Sequence, residues 1–351
     1  MRRVLRLLLV VIVLWGAVLT ARAAGPLVDD APVYAVYQRE RGLRALQVWN
    51  TQGLRIWLLG ERRDDPVGDL VWSPDGERLA FAGIGGIEVW DNILNPNGLY
   101  REHQLLGGIS PAWFPDGEML ALLMPEGALR SVVATYNLTD NDLQRLTPSE
   151  MTLLFSNPTV APNGRYIAAT RNGQRVVIVT PGPAATLTEW RGAGEYPAWG
   201  PEGRFLAYIG PVDPMTPLLR NSIRVYDTET ETVGSVPLPE PFEDISALAW
   251  SDDGTQMIFV GRPQTGLPTL GRSSRAVFIL NIETDELRRL TSDGYNPYSI
   301  SISPRGEWVA FLESYNGTTR ACIIHVAQER VDCPRGLVGA FDAPAWQPTP
   351  E

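Results

Sequence analysis

Apolar and polar positions along the chain fall into one recurring unit: an apolar pair ending in an aromatic residue, a short polar turn, and a second apolar run. Val71-Trp72, the turn Ser73-Pro74-Asp75-Gly76 and the run Leu79-Ala80-Phe81 form one copy. Ala112-Trp113, Phe114-Pro115-Asp116-Gly117 and Leu120-Ala121-Leu122 form the next. Ala198-Trp199 and Ala249-Trp250 open two more copies, and Val160-Ala161-Pro162-Asn163-Gly164 and Ile302-Ser303-Pro304-Arg305-Gly306 are divergent ones. A last copy begins at Ala345-Trp346-Gln347-Pro348. Short runs that alternate or stay apolar between Pro and Gly punctuation read as half-buried and buried strands. Within the turn, Pro presets φ for the second position, Asp or Asn tolerates the third, and Gly takes the left-handed conformation. Each copy is therefore predicted as two antiparallel strands joined by a tight turn.

Two further strand-like runs follow in each unit, for example residues 222–227 with 232–237, and 276–282 with 286–291, which completes a four-stranded meander. The anchors at positions 72, 113, 160, 199, 250, 302 and 346 are spaced 39 to 52 residues apart. That period is the roughly 40–50 residues of a β-propeller blade. At the N-terminal end, the runs 33–37, 44–49 and 54–59 lack an innermost strand, and residues 343–347 supply one with nothing after it. The expectation is an all-β, seven-bladed β-propeller of four-stranded antiparallel blades over residues 24–351, its ring closed by a blade shared between the termini. Such closure protects the sheet edges. Six blades result if the N-terminal runs instead pack outside the ring.

The Trp-Ser-Pro-Asp-Gly-x-x-Leu-Ala-Phe unit at residues 72–81 and its copies resemble the WD-like repeats of the TolB family of bacterial periplasmic propellers, and the similarity covers residues 32–348. The resemblance implies the propeller fold and a protein exported to the cell envelope. Residues 24–32 leave no room for the separate N-terminal domain that TolB carries.

The N-terminus reads as an export signal over residues 1–23. Arg2, Arg3 and Arg6 precede an apolar run over residues 7–19, and Ala21-Arg22-Ala23 fits a cleavage site. The run is shorter than the roughly 20 residues that span a bilayer; a retained anchor is the alternative. The predicted location is periplasmic or secreted, without stable membrane insertion after cleavage. The formal charge of −10 becomes −14 once the four leader arginines are gone, leaving 26 Arg against 40 acidic residues. An acidic surface of this kind excludes nucleic acid as a partner.

All 30 basic residues are Arg. The absence of lysine removes P-loop, Schiff-base, Ser-Lys and kinase chemistry. His103, expected in a loop between outer strands, and His325, within the run 322–326, are the two histidines, too few for a multi-histidine metal site. No G-x-S-x-G nucleophile turn is present. Asp64-Asp65 and Asp140-Asn141-Asp142 lack the spacing of a calcium loop. No catalytic residue, metal or cofactor is expected. The recurring Trp72, Trp113, Trp199, Trp250 and Trp346 are expected to pack between blades.

Cys322 and Cys333 flank the last hairpin and predict a disulfide, with two buried thiols as the alternative. In a propeller the loop between the second and third strand of a blade lies on the same face as the loop to the next blade. The two long insertions of the first kind, residues 210–221 and 261–275, carry Arg220, Arg262, Arg272 and Arg275. Segments between blades add Trp190, Arg191, Tyr196, Phe242, Tyr295, Tyr298 and Phe341. Arginine with aromatics is the usual hot-spot chemistry of protein interfaces. The predicted function is a noncatalytic exported scaffold, monomeric, that binds a protein or peptide partner. The alternatives are a carbohydrate-active enzyme, a lyase or hydrolase acting on acidic saccharides at the propeller mouth, and the sensing domain of a surface assembly.

Overall fold

A computed structural model describes residues 32–348 except 41–42, 53–54, 63–67, 84, 94–99, 128–129, 149–152, 183–185, 214, 216–220, 265–274, 335–336 and 338–343. For residues 37–40, 43–45, 55–62, 68, 100 and 186–192 it describes the backbone. The predicted export signal, residues 1–23, lies outside the described residues.

The first sheet holds β1 (Val33–Glu40), β2 (Leu43–Asn50) and β3 (Arg55–Arg62). Blade 2 follows with β4 (Gly68–Trp72), β5 (Leu79–Gly83), β6 (Gly86–Asp91) and β7 (Tyr100–Leu106). Blade 3 is β8 (Ile109–Trp113), β9 (Met119–Pro125), β10 (Ser131–Asn137) and β11 (Asp142–Arg145). Blade 4 comprises β12 (Phe155–Val160), β13 (Ile167–Arg171), β14 (Arg175–Thr180) and β15 (Thr186–Ala193). Blade 5 comprises β16 (Glu195–Trp199), β17 (Phe205–Gly210), β18 (Ser222–Asp227) and β19 (Thr232–Ser235). Blade 6 is β20 (Phe242–Trp250), β21 (Gln256–Pro263), β22 (Ala276–Asn281) and β23 (Leu287–Arg289). Blade 7 is β24 (Pro297–Ile302), β25 (Trp308–Tyr315), β26 (Thr318–His325) and β27 (Arg330–Asp332).

The chain then returns to the first sheet, where β28 (Ala345–Trp346) pairs with β1 through Tyr34↔Trp346 and Ala35↔Ala345. Blade 1 is thus shared between the two ends of the propeller, giving seven four-stranded antiparallel sheets. The seven innermost strands contact one another in sequence, from β28 to β4 and on to β24 and back to β28, so the ring is closed.

The packing follows from strand alternation. Leu79 and Phe81 of β5 pack with Ala35, Leu46 and Val48 of blade 1, while Ala80 between them packs with Leu120 and Leu122 of blade 3. Middle strands are buried on both faces and therefore read as unbroken apolar runs. Four of the five anchor tryptophans tie neighbouring blades through the indole N–H, while that of Trp250 is buried without a hydrogen bond among the described residues. The indole N–H of Trp72 donates to Ala345 O (3.0 Å), Trp113 to Val71 O (3.1 Å), Trp199 to Thr159 O (3.2 Å) and Trp346 to Ser301 O (3.4 Å). In each case the acceptor is the residue just before the preceding blade's anchor. Blades 4 and 7, with Val160 and Ile302 at the anchor, have no donor to offer there.

The turn residues behave as their chemistry demands. Gly76, Gly117, Gly164, Gly203, Gly254 and Gly306 all have φ between 70° and 72°. Each donates its N–H to the carbonyl three residues back, for example Gly254 to Ser251 (2.9 Å). At Gly254 a Cβ would sit 2.5 Å from Pro201 Cγ of the preceding blade's turn, so space and conformation both require glycine. The turn acids accept backbone N–H groups two residues on, Asp75 from Glu77 (3.0 Å), Asp116 from Glu118 (2.9 Å) and Asp253 from Thr255 (2.9 Å). The Ser251 hydroxyl and the Thr255 N–H hold the Asp253 carboxyl below the usual carboxylate range.

Cys322 and Cys333 form the predicted disulfide. The β26–β27 register, with Ile323 opposite Asp332, carries them directly across from each other, with Cα atoms 4.2 Å apart. Seven positions differ from expectation: Trp190 and Arg191 lie on β15, Tyr196 on β16, Phe242 on β20 and Tyr298 on β24 instead of in loops between blades, and His103 and Arg262 also fall on strands. His103 lies on β7 opposite Val89, edge-on to Tyr136, and not in a loop. Its polar neighbours reflect an outermost strand, where alternate side chains meet solvent. Arg262 lies on β21 opposite Asp244, because that strand extends past the point where the sequence pattern turns polar. Among the described residues, no helix is long and apolar enough to cross a membrane.

Candidate functional site

Strand direction gives the ring two unlike faces. The first strand of each blade runs toward the Pro-x-Gly turns, and the second returns from them. The loops between second and third strands, and those between blades, therefore share the opposite face. Both ends of the propeller domain leave on the turn face: Thr51 N–H donates to Pro32 O (3.1 Å), and the Gln347 side chain donates to Gly76 O (2.8 Å). The described chain ends thus do not obstruct the loop face.

Among the described residues, eight large apolar or aromatic side chains are exposed: Leu106, Ile109, Leu154, Phe205, Val212, Met215, Tyr298 and Tyr315. Seven of them stand at the loop-face end of their strands or in loop-face loops, Leu106 at 73% and Met215 at 86% exposure. The eighth, Phe205, is on the turn face with the Arg204 guanidinium 4.9 Å from its ring centre. Single exposed apolar residues need no explanation, but their collection on one face does.

The innermost strands also approach this face through strained backbone. Three residues before the anchor, Asp69, Ser110, Asn157, Tyr196 and Ala247 adopt left-handed φ between 51° and 58°, each within a register shift of the ladder. Non-glycine residues there cost on the order of 1 kcal/mol each, and bulges of this kind re-aim strand ends at the rims of closed sheets. The Ser110 hydroxyl bonds Asp69 of the preceding blade (2.7 Å).

Of the residues singled out from sequence, Tyr298 is exposed on β24, and Tyr196 and Tyr295 are half-buried, Tyr295 edge-on to Phe311. Phe242 is a core residue, 3% exposed, packed against Phe259 and Phe278. Trp190 and Arg191 lie within β15, where the backbone is described. Arg220, Arg272 and Phe341 lie outside the described residues.

Arg262 and Arg275 come together at the loop-face end of blade 6. Gly261 pairs with Ala276, so the two arginines occupy the next position on adjacent strands. Arg275 bonds Asp244 (2.5 Å), and Arg262 lies 3.9 Å from Glu243. Sequence reasoning missed their counterparts on blade 7. Glu313, 1% exposed, accepts the Arg320 Nε–H and the Asn296 N–H (3.2 Å), and Arg320 stacks on Tyr315 with its guanidinium carbon 3.7 Å from the ring centre. Glu313 also lies beside the two cysteine sulfurs. Those sulfurs are bonded to each other, which leaves no thiolate to ligate a metal.

The fold and this face define a closed seven-bladed β-propeller with one repetitive, charged face and one variable, partly apolar face. The chain is similar in fold to TolB from Acinetobacter baumannii (TM-score 0.52, 16% identity, covering 91% of this chain and 67% of that one). It is also similar to a functionally unknown protein from Desulfotomaculum acetoxidans (TM-score 0.61, 14% identity, 91% and 100%) and to oligogalacturonate lyase from Vibrio parahaemolyticus (TM-score 0.59, 13% identity, 86% and 92%). At these identities the likeness is one of fold. No family model and no curated protein sequence matches the chain.

Proposed function

We propose that this protein is an exported, noncatalytic β-propeller that binds a protein partner through its loop face. The observation that carries the reading is the one-sided distribution of exposed large apolar side chains, seven of the eight among the described residues lying on that face. Exposed apolar side chains gathered on the loop-rich face of a rigid scaffold suit an interaction surface. The leader at residues 1–23 directs export, and the Cys322–Cys333 disulfide fits an oxidising compartment. The TolB-like fold agrees with an envelope role.

Affinity capture from the native envelope with residues 24–351 tests this. Wild type and the turn-face variant Glu118→Arg retain the same captured protein, and Leu106→Arg/Leu154→Arg loses it. Retention by the loop-face variant, or loss by the turn-face variant alone, contradicts the proposal.

A further inference from the structure

Resting on the partner reading above, we infer that the loop-face end of the seam between blades 6 and 7 is a carboxylate-binding subsite, with Arg262 as its receptor, for an acidic side chain of the partner.

The placement follows from alternation. Ile258 and Val260 of β21 and Val277 and Ile279 of β22 pack against Val309, Phe311, Cys322 and Ile324 of blade 7. Two residues further along the same strands, toward the loop face, come Arg262 and Arg275 from blade 6 and Glu313 and Arg320 from blade 7. Three guanidiniums therefore border one seam in a protein with a net charge of −10.

They are not equally engaged. Arg275 is held by Asp244, and Arg320 is bonded to Glu313 and stacked on Tyr315. The buried Nε of Arg262 and that of Arg275 both make no hydrogen bond among the described residues; the difference lies at the terminal nitrogens, where Arg275 is bonded to Asp244 and Arg262 has Glu243 at 3.9 Å, the limit of an ion pair. A guanidinium offers five N–H donors in a planar fork that matches a carboxylate. An arginine placed with much of that capacity unspent is poorly justified by stability, since an unmet buried donor is costly. Its strand contacts β24, which carries the exposed Tyr298. A guanidinium on a face that also exposes large apolar side chains suits an acidic side chain flanked by apolar ones. A peptide offers that combination, and a uronate saccharide has the carboxylate without the apolar side chains.

The test uses fluorescence anisotropy with residues 24–351 and a labelled hexapeptide of alternating leucine and glutamate, against the matched leucine/glutamine peptide. The glutamate peptide binds at least tenfold more tightly, on the scale of one charge-assisted hydrogen bond. Arg262→Gln erases that preference, and the turn-face control Arg165→Gln keeps it. Should Arg262→Gln fail to fold, phenylglyoxal labelling of wild type replaces it: the glutamate peptide protects Arg262 and the glutamine peptide does not. Equal binding of both peptides, lost in Leu106→Arg/Leu154→Arg, overturns the carboxylate subsite and leaves the partner face standing. Absence of binding by either peptide, or stronger protection of Arg262 by trigalacturonate than by the glutamate peptide, also overturns it; the capture experiment then decides the partner reading separately.

Discussion

The two faces of the ring are built by the same seven blades and obey different rules. On the turn face six glycines share one φ within 2°. Side chains there reach the neighbouring turn, Arg78 to Gly117 O (2.6 Å) and Asn163 to Glu202 O (2.9 Å). On the loop face no contact of this kind recurs around the whole ring among the described residues. Five blades share the bulge three residues before the anchor, while the exposed apolar residues and the arginine-lined seam differ from blade to blade. Repetition marks positions where every blade needs the same residue to hold the ring together. Departure from the repeat marks surface released from that duty.

This contrast is broken most severely by opening the ring. Trp346→Ala removes a buried aromatic from the two-residue strand that closes it and should cost about 3–5 kcal/mol, read as a large fall in Tm. A change within about 0.5 kcal/mol would mean that β28 does not close the ring. Replacing both Cys322 and Cys333 by Ser should cost about 2–4 kcal/mol, since the bond pins an outer strand of three residues. Urea midpoints that coincide for wild type and variant would contradict this. On the turn face, Gly254→Ala should cost about 1–3 kcal/mol from its positive φ and the Pro201 contact. On the loop face, Leu106→Arg should change stability by less than about 0.5 kcal/mol. If the two substitutions cost the same, the division of labour between faces fails.

The smallest effect concerns pH. Because the folded pKa of Asp253 lies below its ordinary value, its contribution is present above about pH 4 and is lost as pH falls through the folded pKa. Ser251→Ala removes the main cause, so the variant's stability should depend less on pH below about 4. Identical acid unfolding curves would show that the turn hydrogen bond contributes nothing. Solvent screening keeps this effect well below that of Gly254→Ala.

The fold was legible because a propeller repeats its own constraints. Trp72 and Trp346 stand 274 positions apart in sequence, yet their shared context predicted the strand that closes the ring. The two long insertions pointed to the loop face from sequence, and residues 214, 216–220 and 265–274 of them lie outside the described residues. Phe242 resembled a rim aromatic because β20 is nine residues long while β4 and β8 have five; the extra length lies before the repeat and draws the ring into the core. Leu106, Ile109 and Leu154 passed unnoticed because an apolar residue at a strand end reads as buried until the strand's direction is known. Glu313 and Arg320 sit seven positions apart. Their cross-strand pairing depends on a register set by the Tyr315–Thr318 turn, which the alternating pattern leaves open by one step.

The central claim, that the loop face is the partner surface, is tested most directly by site-specific photocrosslinking in the native envelope. A photoreactive residue is placed at Leu106 or Ile109 on the loop face, and at Glu118 or Arg165 on the turn face. The account predicts one discrete crosslinked protein from positions 106 and 109 and none from 118 and 165. Crosslinks of equal yield from both faces, or from the turn face alone, would contradict it.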